Sequence, residues 1–137
     1  IKKLFLNKGV NLLSISLKSF SYKRGLPRGT DMTLDCRFLK NPHWQDDLRD
    51  KTGLDPSVSE FVASDPKFSE FIEQVTKLLL FLLPSFKEEG KSSVEIGFGC
   101  TGGIHRSVAV TETVAKKLAD SGWNVSIKHR EIERLDL

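Results

Sequence analysis

The sequence predicts an α/β domain in which a parallel or mixed sheet is flanked by helices. Short β-prone runs alternate along the chain with segments whose apolar residues recur at helical spacing. The closing strand–loop–helix–strand order is that of a βαβ unit with parallel strands and a right-handed crossover. With 137 residues we expect one compact domain over residues 10–137, preceded by a tether at residues 1–9.

Composition is ordinary for a globular protein, with 39% hydrophobic and 28% charged residues. The longest apolar run, residues 78–83, is too short to span a membrane, and the first residues lack the apolar region of a signal peptide. The two cysteines lie far apart without a C-x-x-C pair, which argues against zinc and against a disulfide framework. We therefore expect a cytoplasmic protein without a metal or a cofactor. The net charge of +3 permits a polyanionic partner but does not require one.

The first half of the chain predicts two strands and a long irregular segment. Residues 10–17 and 32–36 are β-prone, and the loop at 19–29 between them is marked by Gly and Pro. Residues 37–56 have no sustained period, and a loop of this length in a small domain is usually functional or disordered. Disorder is the poorer interpretation because five apolar residues can anchor the segment: Phe38, Leu39, Trp44, Leu48 and Leu54.

Two helices follow. Asp55 or Ser57 can cap a short helix that ends near Val62. Asp65 as N-cap and Pro66 at the first helical position then begin a long helix. Its apolar residues lie on several faces, which predicts a helix that is deeply buried or shared with a second subunit. Pro84 should kink or end it.

The last part of the chain predicts a strand at residues 93–98, a helix at 107–120 and a strand at 124–129. Gly122 is the natural stop of the helix. Its predicted buried stripe consists of Val108, Thr111, Val114, Ala115, Leu118 and Ala119.

A glycine-rich loop, residues 99–106, joins the strand to this helix. Its glycines leave backbone N–H groups bare, and the positive end of a helix dipole follows, so the loop is suited to an anion such as phosphate. Arg106 can add a bidentate contact and His105 a second donor. The alternative is a tight turn whose glycines only allow close packing of strand and helix.

The spacing of Cys100 and Arg106 also matches the C-x5-R loop of thiol-dependent phosphatases. In that chemistry the thiolate of Cys100 attacks phosphorus while Arg106 and the loop amides hold the oxyanions. A general acid is needed from another loop, and Asp46, Asp47 or Asp35 could supply it.

Polar residues at the end of the second predicted strand form another candidate group: Asp35, Arg37, Asn41 and His43. If that strand neighbours the third, they face the glycine loop; the alternative is an Arg–Asp network that only stabilises the loop. Trp44 is either a loop anchor or a stacking platform. The cations of the 19–29 loop are either solvated surface or anion ligands: Lys23, Arg24 and Arg28.

Several motifs in a fixed order now resemble the C-terminal domain of the RapZ/YvcJ family of RNase adapter proteins. They lie at residues 35–44, 48–49, 52–55, 99–107 and 129–130. The resemblance implies an α/β fold similar to part of phosphofructokinase, a homo-oligomer and an N-terminal P-loop nucleotide-binding domain. It implies a non-catalytic sensor or adapter that binds an amino-sugar phosphate or nucleotide sugar, and in the adapters small RNA. The family is not known for phosphatase activity, so the resemblance does not imply a phosphatase.

Carried over by motif, the expected phosphate loop consists of Cys100, Thr101, Gly102, Gly103, His105 and Arg106. The pocket is completed by Asp35, Arg37, Asn41, His43 and Lys23. The expected RNA-binding cations are Lys23, Arg24, Arg28, Lys128, His129 and Arg130. Two departures reduce the cationic surface. Residues 131–137 are mixed in charge where the adapters are strongly basic, and Ile104 stands where a lysine is common.

Overall fold

Four strands form one parallel sheet in the computed structural model, which describes residues 13–135. In chain order they are β1 (Ser14–Ser21), β2 (Met32–Asp35), β3 (Ser93–Cys100) and β4 (Asn124–His129). Their order across the sheet is β2–β3–β1–β4, and every pairing is parallel. The predicted α/β class is confirmed, and the sheet is wholly parallel within the described residues.

Strand β1 lies between β3 and β4 and extends further than predicted. Of the expected strand at residues 10–17, residues 10–12 lie outside the described part of the chain, as does the expected tether at 1–9. The strand continues through Ser19 to Ser21, where a loop was expected. Both serines are buried because Ser19 Oγ hydrogen-bonds His129 Nδ1 (2.7 Å) and Ser21 Oγ donates to the carbonyl of Thr101 (2.6 Å). Partners about a hundred residues away therefore convert an apparently polar loop into a strand.

Helices pack against this sheet and against one another. They are α1 (Pro56–Ala63), α2 (Phe68–Glu88), α3 (Arg106–Asp120) and α4 (Arg130–Leu135). Helix α3 packs on β1, β3 and β4, α1 and α2 pack on α3, and α4 contacts β1. As predicted, the carboxylate of Asp55 caps α1 by accepting from the backbone N–H of Ser57 (2.9 Å). None of the helices in residues 13–135 is long and apolar enough to cross a membrane.

Helix α2 differs from the prediction at both ends. It begins at Phe68, after a separate turn that contains Asp65. The carboxylate of Asp65 accepts hydrogen bonds from the backbone N–H groups of Lys67 (2.8 Å) and Lys40 (2.9 Å). Asp65 thus ties the turn to the preceding loop instead of capping the helix. Pro84 does not end α2, which continues to Glu88.

The face of α2 opposite the core is open. Its buried residues are Phe68, Ile72, Val75, Leu79 and Leu83. Leu78 is 43% exposed and Phe81 73% exposed. The helix is therefore not buried on all sides in the described structure.

The βαβ unit at the end of the chain is formed with parallel strands, but β1 lies between β3 and β4. The connecting helix begins at Arg106, one residue before its predicted start, and is followed by Ser121 and Gly122. Five of the six residues of its predicted stripe are buried, whereas Ala119 is exposed. Strand β3 extends two residues beyond the predicted 93–98, so the glycine loop begins inside the sheet.

The segment between β2 and α1 is irregular, as predicted, apart from a short 3-10 turn at Pro42–Trp44. Leu39 and Leu48 anchor it in the core. Phe38, Trp44 and Leu54 were expected to do the same, but they are among the exposed large apolar residues. The anchoring is instead completed by polar contacts to the glycine loop, which are described below.

Candidate functional site

The glycine loop and the irregular segment meet at the carboxyl end of the sheet. Strand β2 neighbours β3, as the site prediction required, and the backbone N–H of Cys36 donates to the carbonyl of Gly99 (2.7 Å). A cavity of about 540 Å³ lies between the two segments. Its volume is typical of a small-molecule site, and its position is where open α/β sheets bind ligands. Its lining is Lys23, Asn41, His43, Trp44, Arg49, Asp50, Cys100, Thr101, Gly102, Ile104, His105 and Arg106.

The loop folds around the thiol of Cys100. The buried Sγ accepts hydrogen bonds from the backbone N–H groups of Gly103 (3.3 Å) and Ser107 (3.4 Å), and it donates to Ser107 Oγ (3.2 Å). Gly103 has a φ of +75°, and a Cβ there would lie 2.5 Å from Glu131 Cγ and 2.6 Å from the backbone nitrogen of Ser21. A glycine is therefore required, and the loop is clamped between β1 and α4.

Arg106 is buried beneath the cavity with 5% of its surface exposed. One terminal nitrogen donates to the carbonyls of Arg37 (2.6 Å) and Leu39 (3.2 Å), and the other to Thr101 Oγ1 (3.3 Å). Its Nε is buried and has no hydrogen-bond partner within residues 13–135. The cation thus holds the irregular segment against the loop with three of its five N–H groups.

His105 holds the same segment from the other side. Its Nε2 donates to the carbonyls of Lys51 (2.7 Å) and Arg49 (3.1 Å). Burial lowers the pKa of His105 below its ordinary 6.5, although these two bonds oppose the shift. The imidazole is therefore neutral at pH 7 and donates this N–H to the backbone. The backbone N–H of Gly53 donates to the carbonyl of Ile104 (2.7 Å) and completes the clamp.

The rim opposite the loop is the 3-10 turn. Asn41 Oδ1 accepts from the backbone N–H of His43 (3.1 Å), and Arg49 Nε donates to the carbonyl of the same residue (2.8 Å). Arg49 also pairs with Asp46 (2.8 Å). Asn41, His43 and Arg49 therefore reach the cavity on a braced turn.

Asp35 and Arg37 do not line the cavity, and neither does Gly103. Arg37 Nε and a terminal nitrogen donate to the Asp35 carboxylate (2.7–3.1 Å), and the guanidinium lies 4.0 Å from the centre of the Tyr22 ring. Hydrogen bonds from Arg37 keep the pKa of Asp35 below its usual range despite desolvation, so this carboxyl is ionised at neutral pH. The pair has the geometry of the loop-stabilising network that was the alternative prediction.

With the geometry described, comparison with known proteins identifies the family. The sequence profile of the RapZ C-terminal domain matches residues 13–133. This chain belongs to the RapZ C-terminal domain family. The predicted relationship is confirmed.

Named relatives of this RapZ C-terminal domain are longer proteins. A nucleotide-binding protein of Ruegeria pomeroyi is 58% identical over 134 residues, which are 98% of this chain and 47% of that protein. A nucleotide-binding protein of Cereibacter sphaeroides is 57% identical over 122 residues, 89% of this chain and 40% of that protein. The chain thus spans less than half the length of these relatives. Both of these relatives are named as nucleotide-binding proteins and not as enzymes.

The cations expected to bind RNA fall into two groups in this RapZ C-terminal domain. Lys23, Arg24 and Arg28 are exposed on the segment that follows β1, and of these Arg24 lies 3.5 Å from the carboxylate of Glu131. The other three cations also make internal contacts. Arg130 donates to Glu131 (2.8 Å) and to the carbonyl of Gly25 (2.8 Å), and Lys128 lies 3.9 Å from Glu133. His129 is buried, and its Nε2 lies 2.7 Å from Glu112.

The three candidate general acids of the phosphatase alternative do not line the cavity: Asp46, Asp47 and Asp35. Asp46 is exposed and pairs with Arg49, and Asp35 is held ionised by Arg37. Cys100 lies within its own loop, under the amides of Gly103 and Ser107. None of these three candidates is therefore placed beside the thiol as a proton donor.

Three lining residues were not predicted as site residues: Arg49, Asp50 and Ile104. Arg49 belongs to a motif of the resemblance, and that motif was the signal that could have found it. No local pattern singles out Asp50. Within residues 13–135 no group of three or more His, Cys, Asp or Glu side chains is arranged to hold a metal ion.

A second cavity, of about 640 Å³, lies between α2 and α3 and contains none of the predicted site residues. It is larger than the cavity at the glycine loop, but its lining includes neither a glycine-rich loop nor a buried cation. We therefore place the candidate site at the carboxyl end of the sheet.

Proposed function

We propose that this RapZ C-terminal domain is a non-catalytic sensor or adapter that binds a phosphorylated metabolite beside the glycine loop. An amino-sugar phosphate or a nucleotide sugar is the expected ligand class. The observation that carries the proposal is Arg106, a guanidinium that lines the cavity, is only 5% exposed and uses three of its five N–H groups on neutral partners.

A buried cation is desolvated and gains from a nearby negative charge. The three hydrogen-bond partners of Arg106 are two carbonyls and a hydroxyl, all neutral. Within residues 13–135 no carboxylate lies within ion-pair distance of it. The charge of Arg106 contributes to the lowered pKa of Asp35, but that carboxylate is already paired with Arg37. Burying a charge without an ion-pair partner costs on the order of several kcal/mol, so an anion entering the cavity would stabilise Arg106.

The remaining charges of the cavity favour the same ligand. Lys23 and Arg49 add two cations to Arg106, against Asp50 as the one carboxylate of the lining. Helix α3 begins at the loop, where Cys100 Sγ accepts from the backbone N–H of Ser107, and the positive end of its dipole adds to the field in the cavity. Phosphate matches this set because it offers several acceptor oxygens to donors from different directions.

The relatives are named nucleotide-binding proteins, which agrees with a phosphate-bearing ligand. Their greater length agrees with an N-terminal P-loop domain joined to this one. In this proposal the domain reports ligand supply to its attached domain or to a partner, inside the cytoplasm.

Isothermal titration calorimetry with inorganic phosphate, glucosamine 6-phosphate and UDP-N-acetylglucosamine tests the proposal. Lys23→Gln should weaken binding about tenfold, because it removes one charge-assisted contact from the cavity. Arg28→Gln is the matched control, since Arg28 is an exposed cation of the same segment outside the lining. Its affinity should equal that of the wild type.

Absence of binding by all three compounds would remove the metabolite proposal. Equal losses of affinity in Lys23→Gln and Arg28→Gln would show that binding depends on the overall charge of the segment and not on a specific site. Release of phosphate from an aryl phosphate, abolished by Cys100→Ser, would favour the thiol phosphatase.

A second candidate function, binding of small RNA, is supported by the exposed cations Lys23, Arg24 and Arg28 on one segment. An RNA complex of this kind has an affinity that falls steeply with salt concentration. Arg28→Gln separates the two functions, because it should weaken RNA binding and leave the phosphorylated metabolite unaffected.

A further inference from the structure

The Trp44 side chain is 74% exposed and lines the cavity beside the glycine loop. Tryptophan is largely buried in most proteins, because leaving its ring in water sacrifices a large hydrophobic gain. Its position contradicts the interpretation of Trp44 as a loop anchor. The exposure therefore requires a different explanation.

The exposed indole stands on a rigid support. The turn that carries it is closed by a hydrogen bond from the backbone N–H of Gln45 to the carbonyl of Pro42 (2.9 Å). Pro42 is buried, and the His43 ring packs at 83° to the indole with their centres 5.0 Å apart. A platform that is already ordered loses little conformational entropy when a ligand packs on it.

The cavity thus combines two kinds of surface. Its lining includes the cations Lys23 and Arg106 and one large aromatic ring, that of Trp44. A ligand that satisfies both has a phosphate group and a flat apolar face. The C–H face of a pyranose and the π face of a nucleobase are the two common sources of such a face.

We infer that Trp44 is a specificity-determining residue that packs against the ring of a phosphorylated ligand while the glycine loop holds its phosphate. This inference rests on the proposed function. It adds that inorganic phosphate alone makes only part of the available contacts, so ring-bearing phosphates bind more tightly than phosphate itself.

Calorimetry on the full 137-residue chain tests the inference with three probes: inorganic phosphate, a hexose 6-phosphate and uridine monophosphate. Trp44→Ala should weaken the preferred ring-bearing probe about tenfold and leave inorganic phosphate within about twofold. Trp44→Phe should retain most of the affinity, because it keeps an aromatic face. The probe whose affinity falls identifies the ring as a pyranose or a nucleobase.

Phe81→Ala is the matched control, since Phe81 is 73% exposed but lies on α2 outside the lining. It should change no affinity. A second measurement uses fluorescence in the Trp123→Phe background, where Trp44 is the remaining tryptophan of the two in the chain. Its emission should shift with the ring-bearing probe and not with inorganic phosphate.

Two results would overturn the inference and leave the proposed function intact. One is an equal loss of affinity for inorganic phosphate and the ring-bearing probes in Trp44→Ala. The other is unchanged affinity for all probes in that variant. If the wild type binds none of these probes and neither glucosamine 6-phosphate nor UDP-N-acetylglucosamine, the proposed function fails and the inference fails with it.

Discussion

His105 and Arg106 illustrate how one side chain can serve both the fold and the site. Both were predicted from the sequence as phosphate donors. In the structure, Nε2 of His105 and three N–H groups of Arg106 are used to hold the irregular segment. The charge of Arg106 and two of its five N–H groups are not used in these contacts. The proposed anion site would therefore depend on what the loop clamp does not use.

His105 makes stability depend on pH in a defined window. Its folded-state pKa is lowered by burial, so the unfolded chain binds more protons just below pH 6.5. Above about pH 6.5 the free energy of unfolding should therefore keep the full contribution of His105. It should fall as the pH drops from about 6.5 through the folded-state pKa of His105. Urea unfolding at a series of pH values measures this dependence.

His105→Gln is the control for that experiment, because glutamine can donate to the carbonyls of Lys51 and Arg49 but does not titrate. The variant should lose the part of the pH dependence that His105 contributes. Identical pH profiles for the wild type and His105→Gln would contradict the assignment of a depressed pKa to this residue.

The glycine loop and its neighbours form a close-packed joint between β3, β1 and α4. At Gly53, a Cβ would lie 2.5 Å from the carbonyl oxygen of His105, and Gly103 is enclosed by Glu131 and the backbone of Ser21. Glu131 is buried and accepts from the backbone N–H of Ser21 (3.0 Å), so α4 stabilises the loop from below. The conformation of the loop is thus fixed by elements on three sides.

Gly103→Ala tests this joint. The substitution adds the strain of a positive φ and places a methyl group against backbone, and these effects together should lower the free energy of unfolding by about 2 kcal/mol or more. Gly102→Ala is the matched control one residue earlier. Nothing lies within 4 Å of its Cβ position, so its effect should stay within about 0.5 kcal/mol. Equal effects of the two substitutions in urea unfolding would contradict the described loop conformation.

The local sequence pattern predicted most of the helices and strands but few of the contacts between them. Helix α3 and strand β4 were located to within a residue, because hydrophobic spacing and Gly122 mark them directly. The end of β1 could not be predicted, because its serines depend on His129 and Thr101 for burial. Asp65 likewise looked like a helix cap, since its competing partner, Lys40, is remote in sequence.

For the candidate site too, the sequence predicted the location but not the orientation of the side chains. The glycine loop was located from spacing alone, and its meeting with residues 41–43 followed from the order of the strands. The sequence left open whether Asp35 and Arg37 face the glycine loop or form a loop-stabilising network, and whether Trp44 is an anchor or a platform. In the structure the two charged residues pair outside the cavity, and Trp44 is exposed. Orientation of a side chain depends on tertiary neighbours, which have no local signature.

Across the whole domain, the surfaces at the sheet end and along α2 have different characters. The sheet end carries the cavity that is lined by Lys23, Arg49 and Arg106. The outer face of α2 carries Leu78 and Phe81, one turn apart and both exposed. Apolar side chains clustered on an otherwise charged surface are typical of an interaction site. We expect this face to mediate association between copies of the domain.

Phe81→Lys should shift the protein toward the monomer in sedimentation velocity measured over a range of concentrations. A lysine at the centre of the apolar face would have to be desolvated in the interface, whereas in the monomer it remains in water. The free energy of unfolding of the monomer should stay within about 0.5 kcal/mol of the wild type, since Phe81 is 73% exposed. Trp44→Ala, which removes an equally exposed aromatic ring elsewhere, should leave association unchanged. A wild type that stays monomeric at high concentration, or a Phe81→Lys variant that associates as the wild type does, would exclude this face as the interface.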